Sequence, residues 1–464
     1  MALTIPEGIA PRTDDVAVDP GKVIMRLRDS GKQMEALPIL NNALKEGSPH
    51  REDPMLWYAC AILMADAHEH EKARLALCEM LKFSPTSPDP YLWLAQTEGA
   101  CGRYQEAWKT LRVALDRCDE LDLSNTHGLR MACWSEMAGL AYRQGKVSMG
   151  SQLYRQVINA ETSELPKASH FMLGENRLRV LHDHHAWELY EARLGTVGLY
   201  VWDTWHRPTE PRWDGKAKGR VVFWQEQGAG DFIMMMRFIP WIAQQSGHRV
   251  TVRCDPPLWE LTKAIPSVGM VVGRTDPVSC DYELPILSAP TVYGVNGWGT
   301  VPPPVRPDLP FNKRLGRPPK VKRIGVAWSG AKGHANDKDR SAPVDSLMTL
   351  RERIPATFYA MQPGDCPDWM VPLVTSDYVG TARAMSKMDA IVTVDSSPLH
   401  LAATLGIPTW TVLPAAPEWR WGLTDESRHA WYPKLNVVMR TRVNDWVGAW
   451  RRVAEQVNAY LATT

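Results

Sequence analysis

Neither sign of charge dominates this 464-residue chain: 53 Lys and Arg stand against 52 Asp and Glu. That balance excludes a polyanion-binding footprint at the level of the whole chain. No apolar run approaches the ~20 residues of a membrane span. The opening segment, MALTIPEGIAPRTDD, has no charged stretch followed by an apolar one, so a secretory signal is not expected there. The eight cysteines (Cys60, Cys78, Cys101, Cys118, Cys133, Cys254, Cys280, Cys366) are scattered and none forms CxxC. Their pattern suggests neither a zinc ribbon nor a disulfide framework, and a reduced, cytoplasmic setting is expected. Phenylalanine is scarce, with 7 residues, whereas tryptophan is abundant, with 20. Tryptophan joins a flat apolar face to one N–H donor, so it suits cores and also stacking on sugars or bases. With 44% hydrophobic and 23% charged residues, the chain has ordinary globular composition and length for two to four domains.

The first third carries a repeat. Gly31-Lys-Gln-Met-Glu-Ala36, His68-Glu-His-Glu-Lys-Ala73 and Gly102-Arg-Tyr-Gln-Glu-Ala107 align, with Gly145-Lys-Val-Ser-Met-Gly150 as a looser fourth copy. The alanines are 37 and 34 residues apart, and the fourth copy follows after 43. Trp57, Trp93 and Trp134 precede the last three copies at similar places. A period near 34 with an early Trp, a turn Gly and an Ala in the second helix is the tetratricopeptide pattern. The small Ala lets the two helices of a unit approach, and Pro85, Pro88 and Pro90 break the chain between units. Such an array is expected to present a surface to an acceptor or a protein partner. The alternative is a purely structural stalk or dimerisation element.

Charge follows this division. Residues 1–165 hold 18 Lys and Arg against 23 Asp and Glu, and the remainder 35 against 29. The small positive excess of the second part suits an anionic small ligand better than a long polyanion. Between them, 178–193 reads as one helix, after which Pro208, Pro211 and Gly215 loosen the chain. His182, His184 and His185 crowd there. No Cys or carboxylate completes a metal set around them, so a solvated helix face is expected. From Val221 onward short apolar runs alternate with helical segments: strands at 221–224, 250–253, 270–272 and 282–286, and a helix at 232–245. The Pro-rich stretch 301–310 and Pro318-Pro319 read as a linker. The alternation then resumes with strands at 324–328, 358–361, 391–394 and 409–413. Helices are expected at 344–351, 381–387, 398–405 and 446–460. Two consecutive β/α blocks predict two doubly wound parallel sheets, with ligands outside the carboxyl ends of the strands.

Four loops sit just after strand candidates. In Gln227-Gly228-Ala-Gly230-Asp231 the glycines let the backbone approach a ligand, and Asp231 lies at a helix start, where its charged form is favoured. It is either a helix cap or a base at the cleft. The loop 329–341 mixes Ser329, Gly330, Lys332, Lys338, Arg340 and Ser341, a composition suited to phosphate. Asp337-Lys338-Asp339 within it also reads as a DxD metal motif, which the nearby basic residues argue against. Val394-Asp395-Ser396-Ser397-Pro398-Leu399-His400 reads as strand, turn and helix start. There amides receive a phosphate and the acid takes hydroxyls, or a capped helix simply carries a core histidine. Pro414–Trp421 places Trp419, Arg420 and Trp421 in a Pro-bounded loop, able to stack a ring and pair a phosphate or to plug the core.

In order, VVFWQEQGAGDFIMMMRFIP, GVAWSGAKGHANDKDRSAP, IVTVDSSPLHLAATLGIPTW, PEWRWG and WYP resemble the tetratricopeptide-linked branch of glycosyltransferase family 9, the family of the ADP-heptose:lipopolysaccharide heptosyltransferases. The resemblance runs from about Trp187 to Tyr432 and includes WELYEAR and PRWDG. Repeats joined to such a domain are also similar to O-linked N-acetylglucosamine transferases. The resemblance implies a GT-B architecture, an inverting transfer and no metal. It implies Asp231 as general base and Arg340, with Lys338 as helper, at the leaving diphosphate. Asp395, Ser396 and His400 match the family's D-[ST]-x-x-x-H motif at the donor nucleotide-sugar. This chain departs from the family at Ala229, usually Leu, and at Ser397-Pro398. Met234–Met236 stands where heptosyltransferases carry polar residues near the acceptor.

The expected organisation is therefore a flexible N-terminus (1–19), a tetratricopeptide-like domain (20–165) and a connector (166–220). A Rossmann-like acceptor domain (221–312) and a Rossmann-like donor domain (313–464) follow. The expected function is an inverting, metal-independent glycosyltransferase that uses a nucleotide-diphosphate sugar as co-substrate, with no resident cofactor and a hydroxyl acceptor. Asp231 is the catalytic candidate. Ser329, Lys338, Arg340, Asp395, Ser396, His400, Trp328 and Trp419 are donor-site candidates, and Gly228 and Gly230 the loop glycines. The alternatives are an idle repeat/GT-B scaffold and a glycosyltransferase of nucleic acid bases, which the charge does not favour.

Overall fold

The computed structural model describes residues 19–463, apart from 31, 68, 122, 163–166, 196–208, 311–320, 332–336 and 374. The N-terminal segment to residue 18, Gly31, His68, Trp202, Trp205, Pro208, Pro318, Pro319 and Lys332 thus lie outside the described residues. The chain divides into two compact units, 1–141 with 147–169, and 142–146 with 170–464.

The first unit is a succession of helix pairs: Pro20–Asp29 with Gln33–Ala43, Pro54–Asp66 with His70–Phe83, Asp89–Ala100 with Tyr104–Asp119, and Leu123–Arg143 with Val147–Asn159. Trp57, Trp93 and Trp134 lie in the first helix of the last three pairs, and Ala36, Ala73, Ala107 and Gly150 in the second helices. All three alanines are fully buried, which is the close helix approach that a small side chain permits. Asp53 caps Pro54–Asp66 by accepting from the Met55 amide at 2.9 Å, with proline in the first turn. Trp57 donates its indole N–H to the Arg51 carbonyl at 2.7 Å, and Tyr58 stacks on Trp93 at 4.2 Å. The longer last spacing has a plain cause. The first helix of the fourth pair has 21 residues, against 13 and 12 in the two pairs before it.

The second unit begins before its sheets. Helices Lys167–Val180 and His184–Tyr190 are two elements where the sequence reading has one. The break is at His182, whose backbone is left-handed (φ 55°), followed by Asp183 accepting from the Ala186 amide at 2.9 Å. His182 is fully buried and stacks on Trp298 at 3.9 Å, so it does not belong to a solvated face. Burial lowers its pKa to about 3, which leaves the ring neutral. His184 and His185 do lie in solvent, both beside Glu188. Ala186, Trp187 and Tyr190 are buried against the first sheet, so the expected connector is here part of the second unit's core.

That first sheet contains β1 (Val221–Trp224), β2 (Val250–Arg253), β3 (Val268–Val272) and β4 (Tyr282–Pro285), all parallel, in the order β3-β2-β1-β4. The second contains β5 (Lys322–Ala327), β6 (Ala356–Ala360), β7 (Met370–Val371), β8 (Ala390–Val394), β9 (Thr409–Leu413) and β10 (Leu435–Met439). They are parallel in the order β10-β9-β8-β5-β6-β7. Every residue of β1, β8 and β9 is buried, as expected for strands covered on both faces. The order reverses between β1 and β4 and between β5 and β8, and these switch points are where such sheets open a crevice. The two edge strands β7 and β10 were not expected. One has two residues and is followed by Pro372, and the other is interrupted by Asn436 and only partly buried, so neither reads as a clear strand. The helix expected at 232–245 is Ala229–Met235 and Ile239–Ser246, joined by a 3₁₀ turn at Met236–Phe238, with Pro240 in the first turn of the second helix.

Candidate active site

After β1 the chain turns at Gln227, which is left-handed (φ 62°), and enters helix Ala229–Met235 with Gly228 as its cap residue. Asp231 is in the first turn and accepts from the Gly228 amide at 3.3 Å. The two glycines differ. Gly228 has ordinary backbone (φ −78°), and a side chain there would meet only Asp231 Oδ2 at 3.5 Å. A Cβ on Gly230 would lie 2.9 Å from His400 Cδ2, so Gly230 opens room for the helix of the second sheet. Met234, Met235 and Met236 are fully buried, which assigns this run to the core and away from an acceptor.

From the second sheet, the ends of β5, β8 and β9 contribute. Gln362, just after β6, accepts from the Trp328 and Ser329 amides at 2.7 and 3.0 Å and donates to Ser329 Oγ at 2.7 Å, which fixes the start of the loop after β5. Trp328 itself is 3% exposed in the second core, so its ring faces packing and not a ligand. Lys338 and Arg340 lie in the short helix Asp337–Arg340; the Lys338 side chain is outside the described set. The Arg340 guanidinium lies against Gly330, where a Cβ would come within 2.6 Å of it. Its nearest carboxylate, Asp337 Oδ1, is 3.9 Å away and its buried Nε makes no hydrogen bond among the described residues. Asp337 Oδ1 instead accepts from Ser341 Oγ at 2.6 Å.

At the end of β8, Asp395 is 6% exposed and accepts from the Trp421 indole at 2.8 Å. Burial and the nearby Glu418 raise its pKa to about 6, against Arg420 and the indole N–H. Ser396 occupies the cap position of helix Ser397–Thr404 without capping it through its side chain; Pro398 has no N–H, and the Leu399 amide donates to the Ser396 carbonyl at 3.0 Å. Ser397 Oγ accepts from the Tyr378 hydroxyl at 2.9 Å. His400 is stacked near Trp421, with Nδ1 3.1 Å from the Tyr432 hydroxyl. Burial, helped by Arg420, Arg237 and Arg340, holds its pKa well below the ordinary value, so the ring is neutral.

Arg420, in the loop after β9, joins the two sheets. Its Nε donates to Asp231 Oδ1 at 2.9 Å, its Nη2 to the same oxygen and to Gln227 Oε1, and its Nη1 to Glu418. Trp419, 2% exposed, lies under this guanidinium and among Trp187, Tyr190 and Trp431, so it too is a packing residue and not an open stacking platform.

Several residues around the site were not singled out from the sequence. Arg193, fully buried, binds Glu226 through Nε and Nη2 at 2.9 and 2.8 Å, Glu191 at 2.9 Å and Ser288 at 2.8 Å. Arg212 adds bonds to Glu191, Ser288 and Glu283. WELYEAR and PRWDG thus buttress the loop that leads to Asp231. Glu175, on helix Lys167–Val180, has its pKa raised to about 7 by burial, with Glu418 adding to the rise and Arg179 and Arg420 opposing it. WELYEAR and PRWDG stand out in the sequence, but which carboxylates their arginines meet is set only by the fold.

Residues 379–444 match glycosyltransferase family 9 (heptosyltransferase). This segment is similar to that family's. It spans β8, the Asp395–His400 turn, β9, the Arg420 loop and β10. No curated protein matches the chain. Among solved structures, a Thermobaculum terrenum O-GlcNAc transferase mutant is similar over 88% of this chain and 93% of its own, at 11% identity and a TM-score of 0.31. The E. coli ADP-heptose LPS heptosyltransferase II is similar over 53% and 99%, at 16% identity and a TM-score of 0.35. A Podosopora anserina putative kinesin light chain with TPR-like repeats is similar over 38% and 92%, at 21% identity and a TM-score of 0.28. The architecture is that of N-terminal helical repeats followed by two parallel α/β sheets.

Proposed function

We propose that this chain transfers a sugar, with inversion, from a nucleoside-diphosphate donor to a hydroxyl acceptor. One observation carries the reading: Asp231 after β1 bonds to Arg420, and Asp395 and His400 after β8 feel the charge of the same arginine, at the strand ends where doubly wound sheets take ligands. In this reading Asp231 takes the acceptor's hydroxyl proton as that oxygen bonds to the anomeric carbon from the face opposite the leaving group. The carbon–oxygen bond to the diphosphate breaks, and the diphosphate departs with the electron pair. Arg340 receives the charge on it, supported by a guanidinium lying on Gly330 whose Nε makes no hydrogen bond among the described residues. The N-terminus of helix Ser397–Thr404 and the neutral His400 hold the donor. The charge of Arg340 is assigned the part a divalent ion plays elsewhere, and Asp337 is already engaged with Ser341. The nucleotide-sugar is a co-substrate, and the repeats are assigned to the acceptor or a partner protein.

The test is release of nucleoside diphosphate from a panel of nucleoside-diphosphate sugars, with the product anomer read by proton NMR. Asp231→Asn is expected to lower turnover by about 10²–10⁴-fold, and Arg340→Ala to raise the donor KM. Retained anomeric configuration, or full turnover by Asp231→Asn, would sink the mechanism.

A further inference from the structure

Resting on the assignment of Asp231 as base, we infer that Arg420 is the positioning residue for that base and not a ligand of the donor's phosphates. Three observations carry this beyond the sequence reading, in which Arg420 suited a phosphate.

The first is commitment of donors. Nε and Nη2 both go to Asp231 Oδ1, Nη2 also reaches Gln227 Oε1, and Nη1 goes to Glu418. A phosphate oxygen would have to displace a carboxylate from a side chain that is 10% exposed. Because Arg420 holds only Oδ1, Asp231 Oδ2 is left with the 3.3 Å amide bond from Gly228 and stays available for an acceptor proton.

Rigidity is the second. The guanidinium rests 4.7 Å above the Trp419 ring, and the Arg420 carbonyl accepts from the buried Trp431 indole at 2.7 Å. Arg179 ties the same loop by donating to the Pro417 carbonyl at 3.2 Å. A planar fork so held orients a carboxylate more sharply than a flexible ammonium can.

Charge is the third. Asp231 and Glu418 both pair with Arg420, and Asp395 bears on it as well. Two carboxylates already on this guanidinium disfavour a diphosphate there. Among the described residues Arg340 has one carboxylate, at 3.9 Å, and its Nε makes no hydrogen bond. The two arginines therefore divide the work: Arg340 toward the leaving group and Arg420 toward the base. Since Asp231 hangs from the first sheet and Arg420 from the second, the base is in place only when both sheets are docked.

The experiment compares wild type, Arg420→Lys, Arg420→Gln and Glu418→Gln, each shown to melt cooperatively. Hydrolysis of the best-used member of the nucleoside-diphosphate sugar panel is the activity readout, and calorimetry with the matching nucleoside diphosphate is the binding readout. Arg420→Gln is expected to lower kcat at least 30-fold, with the donor KM and the nucleoside diphosphate Kd within threefold of wild type. Arg420→Lys should recover part of kcat, and Glu418→Gln, which leaves the Asp231 contacts, should lose less than tenfold. A nucleoside diphosphate Kd raised tenfold or more by Arg420→Gln, with kcat kept, overturns the inference and makes Arg420 a phosphate ligand. Wild-type turnover by Asp231→Asn removes the base assignment instead, and a wild type inert to the whole panel removes the catalytic reading, so the failures are distinguishable.

Discussion

Single positions in this site are decided by space and by protons. Gly230 faces His400 so closely that Gly230→Ala is expected to cost about 1–3 kcal/mol, as overpacking does, while Gly228→Ala should be near neutral. Thermal melts of the two variants side by side check this, and equal melting temperatures would count against the packing role. Asp395 makes a pH argument. Its folded pKa is about 6, above the ~3.9 of an unfolded aspartate, so between those values the folded chain binds more protons than the unfolded one. Its contribution to stability is therefore lost as pH rises from about 4 to about 6, and the cost persists above. Asp395→Asn should flatten that fall in denaturant titrations at stepped pH; an unchanged slope would assign it to other groups. The acid and the glycines were legible in the sequence because they sit in short local motifs. The burial of Trp328 and Trp419 was not, since a tryptophan after a strand reads alike whether it fills a core or lines a cleft.

At the scale of elements, the loop bearing Asp231 is held by an ionic network whose arginines lie in WELYEAR and PRWDG, but whose pairings no local pattern announces. Arg193 arrives from the segment after helix His184–Tyr190, Glu226 from the end of β1 and Arg212 from the strand's far neighbour in sequence. Arg193→Ala leaves Glu226 buried and unpaired and should destabilise by about 3–5 kcal/mol in chemical denaturation. The Arg193→Ala/Glu226→Ala double variant should cost less than the sum of the singles, and strict additivity would show that the pair is not coupled. Central strands were readable because parallel strands covered on both faces form continuous apolar runs. In the edge strands β7 and β10 such runs are cut short by Pro372 and Asn436, and the break at His182 depends on a left-handed residue that packs on Trp298.

The whole molecule consists of a repeat unit and an α/β unit with separate cores. Ala107→Leu crowds a fully buried helix contact and should lower a calorimetric transition by about 1–3 kcal/mol in the repeat unit alone, while Arg193→Ala lowers that of the other. A single transition moved equally by both variants would refute independent cores. The sequence alone determined the repeat, the alternation of strands and helices and the order of the four loops, because period, apolar runs and turn residues are local properties of a chain. Only the tertiary structure decided which of those residues meet. Arg420 and Asp231 are far apart along the chain and bonded across two sheets, and Gly230 and His400, also distant in sequence, lie close together there. Such pairings follow from how the sheets pack, where burial and charge are set by neighbours that the local sequence does not name.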